Sequence, residues 1–175
     1  MINNKVILVT KDDQVIGQTD LLTAHQGNGQ LHRAISVLIF NSKKELLIQQ
    51  RSIKKPLWPL FWTNTCCSHP RPKENYKKAA ERRLFEEMGL RLKLKHFYTH
   101  TYQARYNQKL SEHEIDAVFI GTSDDKPKPD KNEIADFKYL SLKNLKKDIL
   151  DHPKIYTPWF KLIMKKVTPS DILTS

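Results

Sequence analysis

A thiol and an imidazole stand two residues apart in the stretch Thr63-Asn64-Thr65-Cys66-Cys67-Ser68-His69-Pro70. A free cysteine and a histidine carry protons or bind metal. Two adjacent cysteines also fit a buried strand without chemistry, so Cys67 and His69 need support from elsewhere. Glu112-His113-Glu114 is a second group. On a strand, Glu112, Glu114, Asp116, Val118 and Ile120 face one way, while His113, Ile115, Ala117 and Phe119 face the other. Carboxylates on a face that runs into an apolar interior are costly unless paired, protonated or metal-bound. A third group is basic: Arg51 ends the Glu45–Arg51 run, with Lys54 and Lys55 just after. It reads either as a surface turn or as an anion clamp, since Arg offers a planar fork and Lys a point charge to phosphate oxygens. His25 and His32 flank a polar loop, where histidines more often hydrogen-bond than ligate. Arg83 and Glu87 are four apart and share a helix face. They read as an exposed ion pair, or Glu86 and Glu87 read as paired ligands for a hard divalent cation.

The elements that must position these groups follow from periodicity and punctuation. Val6–Val9 and Gln14–Gln18 read as a hairpin around Lys11-Asp12-Asp13. Asp20–Gln30 is expected as a polar loop. Arg33–Phe40 is apolar and β-branched, the mark of a central strand buried on both faces. Glu45–Arg51 pairs back after a turn. The proline-bounded Pro56–Trp62 is expected as a packed loop. Asn75–Met88 is a helix, begun by Glu74-Asn75 and stopped by Gly89, with Ala80, Leu84 and Met88 as its core stripe. Arg91–Tyr106 is expected as one or two strands with Tyr98, Tyr102 and Tyr106 on one face. Thr122–Lys131 is expected as a mobile surface loop, Glu133–Leu140 as a strand, and Leu142–Leu150 and Pro158–Lys166 as helices.

With 175 residues, 39% hydrophobic and 28% charged, the chain reads as one globular unit. The expected organisation is an N-terminal hairpin and loop over 1–29, a catalytic region over 30–167 and a flexible tail over 168–175. A net charge of +11 is compatible with a solvated surface, nucleic-acid binding or attraction of a small anionic substrate. The lysines are spread and no nucleic-acid motif is present, so nucleic acid is not expected as a partner. The two adjacent cysteines form no disulfide framework, and no signal peptide, membrane-length run or lipidation box is found. A reducing cytoplasmic setting is expected, with a monomer or weak homodimer.

Glu74, Arg82, Leu84, Glu86, Glu87, Gly89 and Leu90 resemble the Nudix box, with Ser68 at its glycine and Arg83 at a metal-binding glutamate. With Leu31-His32-Arg33-Ala34, Gln50-Arg51, Trp62-Thr63-Asn64, Cys67-Ser68-His69-Pro70, Glu112-His113-Glu114 and Thr157-Pro158-Trp159, the chain resembles the type 1 isopentenyl-diphosphate Δ-isomerases over nearly its whole length. The resemblance implies an α/β/α Nudix sandwich with a mixed sheet and an N-terminal β-hairpin extension. It also implies interconversion of isopentenyl and dimethylallyl diphosphate through a tertiary carbocation, for isoprenoid synthesis. Cys67 and Glu114 are then the proton carriers, Tyr102 orients or relays the proton, and Trp159 shields the cation. His25, His32, His69, Glu112 and Glu114 match the ligands of one Mn²⁺, Zn²⁺ or Mg²⁺. Mg²⁺ is implied with the diphosphate at Glu87 and the backbone carbonyl of Cys67. Arg51, Lys55 and Arg83 form the expected diphosphate clamp. Leu21 stands where this branch often has a lysine, so either weaker substrate binding or compensation by a nearby lysine is expected. The alternative is a Nudix hydrolase of a nucleoside diphosphate derivative, which Arg83 speaks against.

Overall fold

The computed structural model describes residues 5–173. Expectations that fall on residues 1–4 and 174–175, at the two ends of the chain, lie outside the described residues. The strands are β1 (Lys5–Val9), β2 (Val15–Asp20), β3 (His32–Phe40), β4 (Glu45–Arg51), β5 (Trp62–Thr63), β6 (Cys66–Ser68), β7 (Lys95–Arg105), β8 (Ser111–Thr122) and β9 (Ile134–Ser141). The helices are α1 (Leu21–Ala24), α2 (Tyr76–Met88), α3 (Leu142–Asp151) and α4 (Pro158–Lys166). Among the described residues, all the strands join one mixed sheet.

β3 organises that sheet. One edge runs parallel to β8, from His32 opposite Glu114 to Phe40 opposite Thr122. The other edge is divided among three antiparallel partners: β1 at His32, β6 at Ile35–Val37, and β4 only at Ile39 and Phe40. β4 then turns away to pair with β5 and β9. At the fork, the Thr65 hydroxyl accepts from the Ile39 N–H at 2.9 Å and donates to the Leu47 carbonyl at 2.6 Å. Backbone groups that lose a ladder partner indoors need a substitute, and Thr65 supplies it.

Alternation along β3 and β8 sends side chains to two cores. On one face Leu38, Phe40, Val118 and Ile120 pack with Leu142 and Leu145 of α3 and with Trp159, Phe160 and Ile163 of α4. On the other, Ile35, Val37, Ala117 and Phe119 pack against Ala79, Ala80, Leu84 and Met88 of α2. The expected core stripe of α2 is therefore buried, and helices cover both faces of the sheet. Asn75 caps α2 by accepting from the Lys78 N–H, and Gly89 ends it with φ +71°. A Cβ at Gly89 would adopt a left-handed backbone and press on Lys128 at 3.0 Å.

The structure adds detail to several of these expectations. The 20–30 loop contains the short helix α1. Arg91–Tyr106 yields one strand, β7, whose register shifts between His96 and Tyr98. The 122–131 segment is a surface loop, but it is pinned: Lys128 and Asp130 N–H groups cap the carbonyls of Met88 and Glu87. These carbonyls end α2 and have no partner inside the helix, so the loop satisfies them. Residues 169–173 of the expected tail form a 3₁₀ turn.

Thr65→Val keeps the shape of residue 65 but leaves one buried N–H and one buried C=O unpaired at the fork. We expect a loss of about 2–4 kcal/mol in stability, measured by denaturant unfolding. A loss below about 0.5 kcal/mol would show that the hydroxyl does not hold the fork.

Candidate active site

A cavity of about 450 Å³ is lined by residues of β3, of β6 and β8 on either side of it, of β7 and of α2. Its wall includes Cys67, His69, Tyr102, Glu114, Arg83 and Trp159. Pairing sets the orientation. Cys67 lies opposite Ser36 on one edge of β3, and Glu114 lies opposite His32 on the other. Ser36 and His32 are four residues apart, so Cys67 and Glu114 share a sheet face while approaching from opposite sides of β3. Cys66 turns to the other face, fully buried with Ile35 and the α2 stripe.

His25, His32, His69, Glu112 and Glu114 converge, with one donor atom from each within 4.8 Å of all the others. His25 caps α1, and its Nδ1 lies 3.1 Å from the Ser111 carbonyl. His32 opens β3, and its Nδ1 lies 2.7 Å from the Gln30 carbonyl. His69 Nε2 is 2.8 Å from Glu114 Oε1, and His32 Nε2 is 3.3 Å from the same oxygen without hydrogen-bond geometry. Glu112 Oε2 and His32 Nε2 are buried polar atoms without hydrogen-bond partners in the protein. Buried orphans of this kind call for a further partner. Three imidazoles and two carboxylates form a mixed nitrogen and oxygen set suited to a divalent metal, and these residues fit one.

Burial lowers the pKa of His25 to about 4, and the neighbouring His69 adds to the effect. Burial likewise lowers His69, against hydrogen bonding to Glu114. The two carboxyls diverge. Burial and the Glu114 charge push Glu112 well above the usual carboxylate range. Burial would raise Glu114 too, but the His32 ring close against it and the hydrogen bond with His69 hold it well below that range. Tyr102 donates to Glu114 Oε2 at 2.5 Å, and burial and the Glu114 charge keep its hydroxyl protonated. Behind them, burial and Glu114 raise Asp116 to about 8, and it accepts from Ser36 at 2.8 Å.

Burial pushes the Cys67 thiol up to about 11, against the pull of Arg51, so it is a protonated thiol near neutrality. Arg51 Nη1 reaches Cys67 Sγ at 3.4 Å. The rest of Arg51 donates to the Leu57 and Trp58 carbonyls at 2.8–3.2 Å, which makes the expected packed loop its cradle. Lys55 also lines the cavity and pairs with Glu133. Arg83 pairs with Glu87 at 2.6 Å, Glu86 at 2.8 Å and Glu133 at 2.8 Å.

Two readings of the helix end need correction. Glu86 and Glu87 do not act as a pair: Glu86 meets Arg71, Arg82 and Arg83 outside, while Glu87 is buried. Nor is Arg83–Glu87 an exposed pair, since Glu87 is 1% exposed. Glu87 gives Oε1 to Arg83 and is not part of the cavity wall, so a cation there depends on oxygens that a ligand brings.

Sequence reasoning missed two positioning residues. Asn64 accepts from Trp159 Nε1 at 3.2 Å and from Thr63 Oγ1 at 2.8 Å, and donates to the Cys66 carbonyl at 2.6 Å. Thr157 meets Thr63 hydroxyl to hydroxyl at 2.9 Å. Together they dock the Thr157-Pro158-Trp159 motif on Trp62-Thr63-Asn64 and set the Trp159 ring in the wall. Glu133, read only as the start of a strand, joins the basic group. The sequence quoted Asn64 within a motif but gave no signal for Glu133.

A NUDIX domain model matches residues 30–160. An isopentenyl-diphosphate Delta-isomerase of Pectobacterium atrosepticum is 40% identical over 93% of this chain and 90% of its own length. One of Halorhodospira halophila is 37% identical over 97% of this chain and 98% of its own. Among solved structures, a Deinococcus radiodurans protein superimposes with a TM-score of 0.77 at 19% identity, covering 93% of this chain and 98% of that one. A MutT protein from Methanosarcina mazei gives 0.64 at 20% identity, covering 78% and 91%. These two likenesses concern the fold.

Metal-free protein should lose stability on acidification through His25. Its folded pKa lies below the unfolded 6.5, so the unfolded chain binds the proton first. The stabilisation present above pH 6.5 is lost as pH falls toward 4, by roughly 3 kcal/mol. Glu112, with a raised pKa, acts in the opposite sense. The test is therefore the difference between wild type and His25→Gln, both chelator-treated, in unfolding free energy across that range. Parallel pH profiles would contradict the assignment.

Proposed function

The chain belongs to the isopentenyl-diphosphate Delta-isomerase family of NUDIX-domain proteins, and from that premise we propose that this cavity interconverts isopentenyl diphosphate and dimethylallyl diphosphate. One observation carries the reading. A thiol, a carboxylate with its tyrosine, and a tryptophan ring meet in one cavity that is also lined by cations. Moving a double bond without redox requires one proton delivered to the terminal alkene carbon and another removed from the carbon nearer the diphosphate. An alkene is a poor base, so both carriers must be held close to the reacting carbons. Cys67 and Glu114 are these carriers, and each gives in one direction what it takes in the other. Tyr102 holds Glu114 Oε2 and orients the transferred proton.

The tertiary cation formed between the two transfers needs a wall that offers electron density and no water. Trp159, 3% exposed and fixed through its Nε1 by Asn64, supplies that wall as a cation–π partner. Arg51, Lys55 and Arg83 anchor the diphosphate end. Held by His25, His32, His69, Glu112 and Glu114, a Mn²⁺, Zn²⁺ or Mg²⁺ ion would polarise the Glu114 carboxyl. Glu87 and the Cys67 backbone carbonyl are the groups that would hold Mg²⁺ together with diphosphate oxygens. The hydrolase alternative loses support because Arg83 stands at a box glutamate and occupies Glu87 Oε1.

Incubation of purified protein with isopentenyl diphosphate and Mg²⁺ should yield acid-labile allylic product. Release of phosphate or pyrophosphate without that product would sink the reading. Cys67→Ala and Glu114→Gln should each lower turnover by about a thousandfold or more with folding intact, judged by thermal unfolding. Near-full activity in either would remove its assigned role.

Leu21 lines the cavity beside Lys5, so Lys5 is the lysine proposed to compensate. Lys5→Gln should raise KM about threefold to tenfold with kcat unchanged, the mark of lost uniform binding. An unchanged KM would rule out Lys5 as the compensating cation.

A further inference from the structure

Glu133 stands between the two basic side chains at the heart of the clamp. Its backbone is fixed: the carbonyl accepts from Ser52 N–H at 2.9 Å and its N–H donates to Asp130 at 3.0 Å. Its carboxylate then reaches both cations at once. Oε1 accepts from Arg83 Nη2 at 2.8 Å, and Oε2 accepts from Lys55 Nζ. Burial works against its charge, but Lys55 and Arg83 hold its pKa at about 2, so it is ionised at any working pH. Glu133 is itself part of the cavity wall. The anion position of the clamp thus already contains an anion that belongs to the chain.

A tethered anion competes without losing translational freedom, so an incoming ion must offer more than Glu133 does. A small anion with a single centre, such as orthophosphate, occupies only the space between Lys55 and Arg83. There it replaces contacts that exist and meets a like charge. A diphosphate has two centres. It can approach that pair at one end and extend along the same wall to Arg51 and Lys5, cations that carry no carboxylate partner among the described ion pairs.

Resting on the diphosphate reading above, we propose that Glu133 is a selectivity residue, a built-in counter-anion that makes the clamp reject single-centre anions and accept diphosphates. It acts through Lys55 and Arg83 and does not touch the reacting carbons. A merely structural Glu133 would hold the two cations in place and leave the preference between anions unchanged.

The test is titration calorimetry of orthophosphate and of pyrophosphate, at fixed Mg²⁺, with wild type and Glu133→Gln. Glu133→Gln should bind orthophosphate about tenfold more tightly and pyrophosphate less than about threefold more tightly. The preference for pyrophosphate therefore shrinks. Glu133→Asp keeps the charge but shortens the reach, and should give a preference between the other two. It also guards against a folding defect in the glutamine variant. An unchanged preference in Glu133→Gln overturns the proposal, whether both affinities rise together or neither moves. So does a preference for Glu133→Asp outside that interval. Wild type that binds neither pyrophosphate nor isopentenyl diphosphate would overturn the diphosphate reading and this proposal together. Wild type that binds both, with no change of preference in the variants, removes this proposal alone.

Discussion

A strand has two hydrogen-bonding edges, and β3 spends one of them on a single partner and divides the other among three. That division is the constraint behind the site. β4 must leave β3 after two residue pairs, and the short β6 takes its place. A fork in the middle of a sheet exposes backbone groups to an apolar interior. It persists because Thr65 satisfies both sides and Asn64 binds the Val37 and Cys66 carbonyls. The same insertion brings Cys67 onto the face that carries Glu114. Catalytic geometry and backbone satisfaction are thus one structural problem with one solution.

The second organising fact is the cost of buried charge. Glu112 and Glu114 enter the sheet interior from β8, where an isolated carboxylate is expensive. The protein answers with the imidazoles of His25 and His69, whose pKa values burial lowers, the buried His32 ring beside them, a tyrosine hydroxyl, and a Glu112 carboxyl that burial and Glu114 push well above the usual range. At the other end of the cavity the answer is pairing, as Arg83 gathers Glu86, Glu87 and Glu133. Breaking a buried pair by removing one partner usually costs more than the pair itself contributes. The two ends therefore have different chemistry: one suits a metal and proton transfer, the other an anion.

The 122–131 loop links these ends to the fold. By capping the Met88 and Glu87 carbonyls it finishes α2, and it then delivers Glu133 to Lys55 and Arg83. Helix end, loop and clamp are therefore a single connected unit. Gly89 makes the closure possible, since a side chain there would collide with Lys128.

Most of the fold was legible in the sequence because it rests on local periodicity. The β-branched run of β3, the stripe Ala80, Leu84 and Met88, the Asn75 cap and the Gly89 stop each follow from neighbours along the chain. The alternation in β8 likewise assigned Glu112 and Glu114 to one face. Spaced motifs supplied the family and its candidate residues. Tertiary structure alone decided which of those residues meet, because each meeting depends on register between strands distant in sequence. His32 lies beside Glu114 only through the parallel pairing of β3 with β8, and Glu133, 50 residues along the chain, reaches Arg83 where the loop before it caps the helix. Protonation followed the same division. The identity of Cys67 and Glu114 was local, but their charge depends on how deeply they are buried and on what stands beside them, which is a property of the folded chain.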